Sequence, residues 1–170
     1  MVSSVVSSHD MTFGFLTVCD AADIGMFGGY LLVDITGRPL EFHCTAPLRV
    51  TRAQEILYGA TLQRYLHGEQ IGGPLLKATK LTPVAVLTDR ELLLHARSHG
   101  ASPVVAIQET DSQDKEEEFM SLGTFQLRPH EKDMSKIDQL RPHFESLSSS
   151  IELAEPFDRI RAAIDEAQNH

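Results

Sequence analysis

The tightest constraint on this chain sits in its middle. Residues 83–88 (PVAVLT) and 103–107 (PVVAI) are unbroken apolar runs of strand length. A run without polar alternation suits a strand buried on both faces. Between them, residues 90–99 read as a helix, with Asp89 placed to cap its start and Gly100 to stop it. Strand, helix, strand is a βαβ unit, with parallel strands and a right-handed crossover. Such a unit cannot stand alone, because both faces of its sheet need cover.

The N-terminal half supplies more sheet. Residues 13–19 (FGFLTVC) form a short β-prone run, and Gly25, Gly28 and Gly29 mark a flexible turn after it. Residues 30–35 (YLLVDI) and 39–45 (PLEFHCT) flank Thr36-Gly37-Arg38, a hairpin signal. In the second of these runs Leu40, Phe42 and Cys44 alternate with Glu41, His43 and Thr45, which predicts an apolar face turned to the core. A helix follows. Thr51 with Gln54 makes a capping box, and Ala53, Ile56, Leu57 and Ala60 follow the spacing of a core-facing stripe. Gly72, Gly73 and Pro74 then break the chain, so residues 68–76 read as a flexible connector between two helices, with residues 75–78 as one more turn.

After the βαβ unit, residues 109–118 (ETDSQDKEEE) carry six acids against one lysine, a local charge of −5. This is an exposed acidic loop, with a basic partner or a cation as the functional alternative. Residues 123–127 read as an edge strand. Residues 136–147 look helical, with Pro142 expected to kink or split them. Residues 155–168 are the clearest helix, with Pro156 in the first turn and Phe157, Ile160 and Ile164 on one face. The whole is an α/β chain: a mixed sheet with an antiparallel hairpin start, then parallel βαβ strands, and helices on its faces.

Length and composition bound what such a fold does. The chain has 170 residues and a net charge of −9, from 15 basic and 24 acidic side chains. That length fits one domain, here residues 12–170, with a helical C-terminal tail; residues 1–11 are Ser-rich and expected to be disordered. Met11 is an alternative start to Met1. No basic, apolar leader is present, which makes the cytoplasm the expected compartment, with Cys19 and Cys44 reduced. No apolar run approaches the roughly 20 residues of a membrane helix. The acidic balance excludes a protein that coats nucleic acid through overall charge.

Specific motifs are few. Neither a GxGxxG fingerprint nor a GxxxxGK[ST] loop is present. His43 and Cys44 are adjacent on a strand and point to opposite faces. Cys19 and Cys44 are placed to meet across neighbouring strands as core residues. His95 and His99 have the i, i+4 spacing of a metal-capable pair, without a third ligand. Three carboxylates are candidates for metal chemistry: Asp20 at the end of the first strand, Glu55 on the first helix and Asp89 at the end of the 83–88 run. Each has a plainer reading, as a turn residue, an exposed helix residue and a helix cap. Asp23 and Asp34 read as turn and hairpin residues.

Element order and several short motifs resemble the ribonuclease H-like fold, over residues 13–107. That family runs three antiparallel strands, a helix, a fourth strand, a helix and a fifth strand. Gly28-Gly29-Tyr30-Leu31-Leu32-Val33 resembles its glycine-led second strand, Thr51-Arg52-Ala53-Gln54-Glu55 its helix start, and Thr88-Asp89 the end of its fourth strand. The resemblance implies metal-dependent phosphodiester hydrolysis, with Asp20, Glu55 and Asp89 holding Mg²⁺ or Mn²⁺ and nucleic acid as partner. The departures are specific. Gln54 stands in the direct match of the helix Glu, and Glu55 lies about 100° round the helix. The family's fourth acid has no match, and residues 68–82 are extra. The reading favoured by the sequence is a non-catalytic module that binds a protein partner or itself.

Overall fold

The computed structural model describes residues 11–21, 23–110 and 120–169. The expectations for residues 1–10 and for most of the acidic 109–118 segment lie outside the described residues. Strands β1 (Thr12–Ala21), β2 (Gly25–Asp34), β3 (Pro39–Cys44), β4 (Ala85–Thr88), β5 (Val104–Glu109), β6 (Met120–Leu122) and β7 (Phe125–Pro129) form one sheet in the order β3-β2-β1-β4-β5-β7-β6. β1, β2 and β3 are antiparallel neighbours. β1 pairs parallel with β4, from Phe13 opposite Ala85 to Leu16 opposite Thr88, and β4 pairs parallel with β5. This is the expected mixed α/β sheet, with the ribonuclease H-like order and directions across β3-β2-β1-β4-β5.

Helices cover both faces. Phe13 and Phe15 of β1 pack on α4 (Ile137–Ser148) and α5 (Glu155–Gln168); the Phe15 ring meets Phe157 edge-on at 5.4 Å and Phe13 lies 6.4 Å from Phe144. Leu16, Val18, Tyr30 and Leu32 face the other way, onto Ile71, Leu75, Leu93 and Ala96. No helix among the described residues is long and apolar enough to cross a membrane.

The structure corrects several expectations. Residues 68–76 are no flexible connector, and the turn expected at residues 75–78 belongs to a longer helical run. α1 (Arg52–Tyr58) leads through α2 (Leu62–Arg64) into a wide-turn π segment, Tyr65–Gly72, and α3 (Gly73–Ala78). Gly72 and Gly73 are buried inside it. A Cβ on Gly72 would stand 2.4 Å from that of Ala96, so the glycine exists for close approach rather than for a break. The 90–99 helix is a 3₁₀ run, Glu91–His99. At three residues per turn Leu93 and Ala96 line up on the sheet, while His95 and His99 fall about 120° apart. Pro142 leaves α4 a single element. β7 is not an edge strand, because β6 lies outside it. β2 stands between the strands of Cys19 and Cys44, so the two thiols do not meet, and both are free.

Two amphipathic elements face opposite to their patterns. In β3, Leu40, Phe42 and Cys44 are the exposed residues, while Glu41 and His43 are half-buried. The carboxylate decides this. Glu41 accepts from the backbone N–H groups of Lys80 (3.0 Å) and Leu81 (3.1 Å), from Thr79 Oγ1 (3.1 Å), and bonds the His43 ring at 3.0 Å. Burial pushes its pKa up, but these donors outweigh it and hold the group at about 2. α1 has its capping box, with Gln54 N donating to Thr51 Oγ1 at 3.1 Å, yet it buries no residue. Ile56 is 64% and Leu57 83% exposed, so the expected core-facing stripe points outward.

A buried ion pair ties the 3₁₀ run to the C-terminal segment. Arg97 Nε and Nη2 reach the fully buried Asp133 at 2.7 and 3.2 Å, and its Nη1 donates to the Gly100 carbonyl at 2.9 Å. Removing one partner strands the other charge. Arg97→Met is expected to cost about 3–5 kcal/mol in denaturant unfolding. The double variant Arg97→Met/Asp133→Leu should recover most of the loss.

Candidate functional site

In open α/β sheets, sites form at the carboxyl ends of parallel strands where the strand order reverses. Here the chain runs from β1 outward through β2 and β3, and from β4 the other way to β5. The reversal lies between β1 and β4. Asp89, one residue past β4, stands at that point.

Its surroundings are specific. The Thr17 hydroxyl on β1 donates to Asp89 Oδ1 at 2.6 Å, and Arg161 of α5 donates to Asp89 Oδ2. Arg161 Nη2 also donates to Thr17 Oγ1 at 3.2 Å, which closes a triangle, and Nη1 lies 3.5 Å from Asp158. Thr17 is fully buried. α5 presents Arg161 because it sits one turn after the buried Phe157 and just before the buried Ile164. Asp89 is therefore no helix cap; Arg90 is the residue that precedes the 3₁₀ run.

Cys19 lies two residues beyond Thr17, on the same face of β1. Burial pushes its thiol pKa up; Arg161 pulls it down, Asp89 raises it, Arg90 lowers it and Asp20 raises it. A cavity of about 430 Å³ opens beside it, lined by Asp20, Phe27, Arg90, Arg161 and Asp165 among others. A second, of about 240 Å³, lies between Asp89, Gln108, Gln126 and the ion pair of Arg128 with Glu91.

The three candidate carboxylates are not brought together. Asp20 shares the parity of Leu16 and Val18, opposite to Thr17, and at the end of β1 it borders the Cys19 cavity with Arg161 without a hydrogen bond to the Thr17–Asp89–Arg161 triangle. Glu55 stays on α1, where it pairs with the exposed Arg52 at 3.0 Å. Two Mg²⁺ ions need several oxygen ligands on one spot. As placed, these residues do not make that set: both Asp89 oxygens are engaged, and its neighbour on β1 is a hydroxyl. Among the described residues no group of three His, Cys, Asp or Glu side chains is placed to hold a metal ion.

Thr17 and Arg161 went unread in the sequence. Both carry a signal: one polar residue inside the apolar 13–19 run, and one cation on the buried stripe of the tail helix.

The strand order and this switch-point site define an α/β chain of ribonuclease H-like layout. No known family's sequence pattern matches the chain, and no curated protein matches it. Among solved structures it is similar to part of the Argonaute of Marinitoga piezophila, in complex with a 5′ OH guide RNA, at 11% identity over 78% of this chain and 26% of that one, with a TM-score of 0.37. It is also similar to Endonuclease V of Ciona intestinalis, in complex with a 24mer DNA containing an inosine followed by a ribo-adenosine, at 16% identity over 78% of this chain and 56% of that one, with a TM-score of 0.38. The chain thus spans about a quarter of the first structure and just over half of the second.

The cluster makes a checkable demand on Cys19. In a Cys44→Ser background, Arg161→Ala removes the cation that lowers the thiol pKa. The thiol should titrate still higher, and alkylation by iodoacetamide at neutral pH should slow. An unchanged rate would mean that Arg161 does not act on Cys19.

Proposed function

We propose that this protein is a binding and assembly module, without hydrolytic chemistry of its own, that pairs with a second copy of itself through the outer edge of β3. It acts as one α/β unit over residues 12–170, in the cytoplasm, with both cysteines as thiols. The observation that carries the reading is the inverted amphipathicity of β3, whose apolar side faces outward on a strand that has one neighbour in the sheet among the described residues. An exposed edge with an apolar face is a template for another strand.

The strand is complementary to itself. In an antiparallel pairing centred on Phe42, Leu40 stands opposite the partner's Cys44 and the two Phe42 rings stand together. Such a contact is isologous, as a two-fold dimer requires. A groove of about 560 Å³ borders the strand, lined by Phe42, His43, Gln70, Pro74 and Ala78 among others. A stable interface needs about 800 Å² per partner, so the contact has to extend from the strand over this groove.

Sedimentation velocity tests this. The protein should be dimeric at micromolar concentration and Phe42→Lys monomeric, with an unchanged far-ultraviolet circular dichroism spectrum showing that the variant is folded. Because each copy carries −9, association should tighten as salt screens the repulsion. A wild-type protein that stays monomeric at every concentration and salt would end the proposal.

One placement favours a second reading, metal-dependent phosphodiester hydrolysis on nucleic acid. Asp89 leaves β4 beside β1, where the resemblance expects an acid. Calorimetric titration separates the two readings. Assembly without hydrolysis predicts no binding heat with Mn²⁺, in the wild type or in Asp89→Asn. A saturable heat that Asp89→Asn abolishes would establish the second.

A further inference from the structure

Beside the 3₁₀ run Glu91–His99 lies an open cleft that neither reading uses. It holds about 750 Å³ and is lined by Arg64, Leu92, Leu94, His95, His130 and Met134 among others. Local geometry builds it. At three residues per turn, Leu92 and His95 share one side of the run, while Leu93 and Ala96 take the sheet. His95 packs on the π segment Tyr65–Gly72, where a Cβ on Gly68 would stand 3.1 Å from that of His95. This approach brings Arg64, at the end of α2, and the buried His67 close enough to act on the His95 ring. On the other side β7 ends at Pro129 and is followed by His130, whose backbone N–H donates to the Val104 carbonyl at 2.9 Å.

The charges here are one-sided. Burial pushes the His95 pKa down, and Arg64, His130 and His67 push it further the same way, so the groups that act on it most are all basic. Among the described residues Arg64 has neither a side-chain hydrogen bond nor an ion-pair partner. Arg128, which also lines the cleft, is committed to Glu91. Glu131 is the lining carboxylate that opposes the cations. His130 accepts the Lys132 backbone N–H on Nδ1 at 3.1 Å, so its own proton sits on Nε2 as a donor. Two apolar side chains of the same cleft stay wet: Leu92 is 40% and Met134 43% exposed.

We infer that this cleft binds a small amphipathic anion, a carboxylate carried on an apolar body. Arg64, His95 and His130 meet the carboxylate, and Leu92, Leu94 and Met134 meet the body. The volume lies in the range of small-molecule sites, which combine apolar walls with a few convergent polar groups. The charge selects the head group. Arg64 is the full charge left without a partner, and His130 adds an N–H; together they balance a monoanion rather than the nearly double charge of a phosphate monoester. A cation is repelled by the same groups. A wholly apolar ligand would cover part of Arg64 and give it no partner. The bound carboxylate also favours the protonated ring of His95, so binding takes up a proton.

The test titrates the full chain with hexanoate and follows amide chemical shifts. Saturable shifts are expected at Leu92, His95, His130 and Met134. Hexanol is the body without the charge and acetate the charge without the body; each should bind at least about tenfold more weakly. Hexyl phosphate should bind no tighter than hexanoate. Arg64→Gln should weaken hexanoate about fivefold and Glu131→Gln should tighten it about twofold, the weight of charges at a solvated rim. Both positions are exposed, so the fold is kept. Affinity should rise as pH falls through the histidine range. The charged and titratable groups that face His95 there are Arg64 and His67 from the helical segment, His130 and Glu131 from beyond β7, and the Glu91–Arg128 pair. Any one of four results would overturn the inference: no saturable shift with hexanoate, hexanol or hexyl phosphate binding more tightly than hexanoate, an unchanged affinity in both Arg64→Gln and Glu131→Gln, or an affinity that does not rise with falling pH. The assembly state enters none of these readouts, so this site and the β3 edge stand or fall separately.

Discussion

β1 is the member on which the rest of the structure depends. It is ten residues long, apolar on both sides over most of its length, and paired antiparallel to β2 and parallel to β4. A strand with Phe13 and Phe15 on one face and Leu16 and Val18 on the other cannot leave either face to water. Burying four such side chains contributes roughly 1.5–3 kcal/mol each, and it requires a helical layer on each side. α4 and α5 meet the demand on one face; the helical segments from Tyr65 to Ala78 and from Glu91 to His99 meet it on the other. The parallel pairing with β4 then creates the reversal of strand order, and with it the only kind of place where an open sheet offers loop ends to a ligand on a fixed frame.

Much of this was legible because periodicity and burial agree along these stretches. The runs 83–88 and 103–107 lack polar alternation, and the sheet buries both sides of them. Where the sequence misled, a contact between distant residues overrode the local pattern. Gly72-Gly73 has the composition of a break, but its lack of side chains serves a close approach to Ala96. Leu40, Phe42 and Cys44 have the alternation of a core face, but Glu41 finds its donors in residues 79–81, nearly forty positions away, and that pairing turns the strand over. The stripe Ala53, Ile56, Leu57 and Ala60 has helical spacing without any surface among the described residues to receive it. No local rule contains the partner that decides each case.

The candidate site divides in the same way. Asp89 was legible as the acid that ends an interior strand. Its chemistry was not, because the residues that set it are Thr17 and Arg161, 72 positions away on each side. A carboxylate facing a second carboxylate is a metal site in waiting. Facing a hydroxyl and a guanidinium, it has its charge balanced and its lone pairs directed. Arg161 is a cation with fixed donor directions, bound covalently to the fold, and its separation from Asp89 costs a partly buried ion pair. This is an arrangement that holds α5 to the sheet at the end of β4.

Glu41 shows the same logic at the outer strand. By turning inward it leaves Phe42 and Leu40 exposed on β3. By taking the backbone donors of Lys80 and Leu81 and the Thr79 hydroxyl it also anchors the segment that leads from α3 to β4. One carboxylate thus sets the outer face of the edge strand and the path of a segment nearly forty positions away. A carboxylate met by this many donors is held inward more firmly than two half-exposed apolar side chains are drawn there, so the strand takes the face that satisfies the charge.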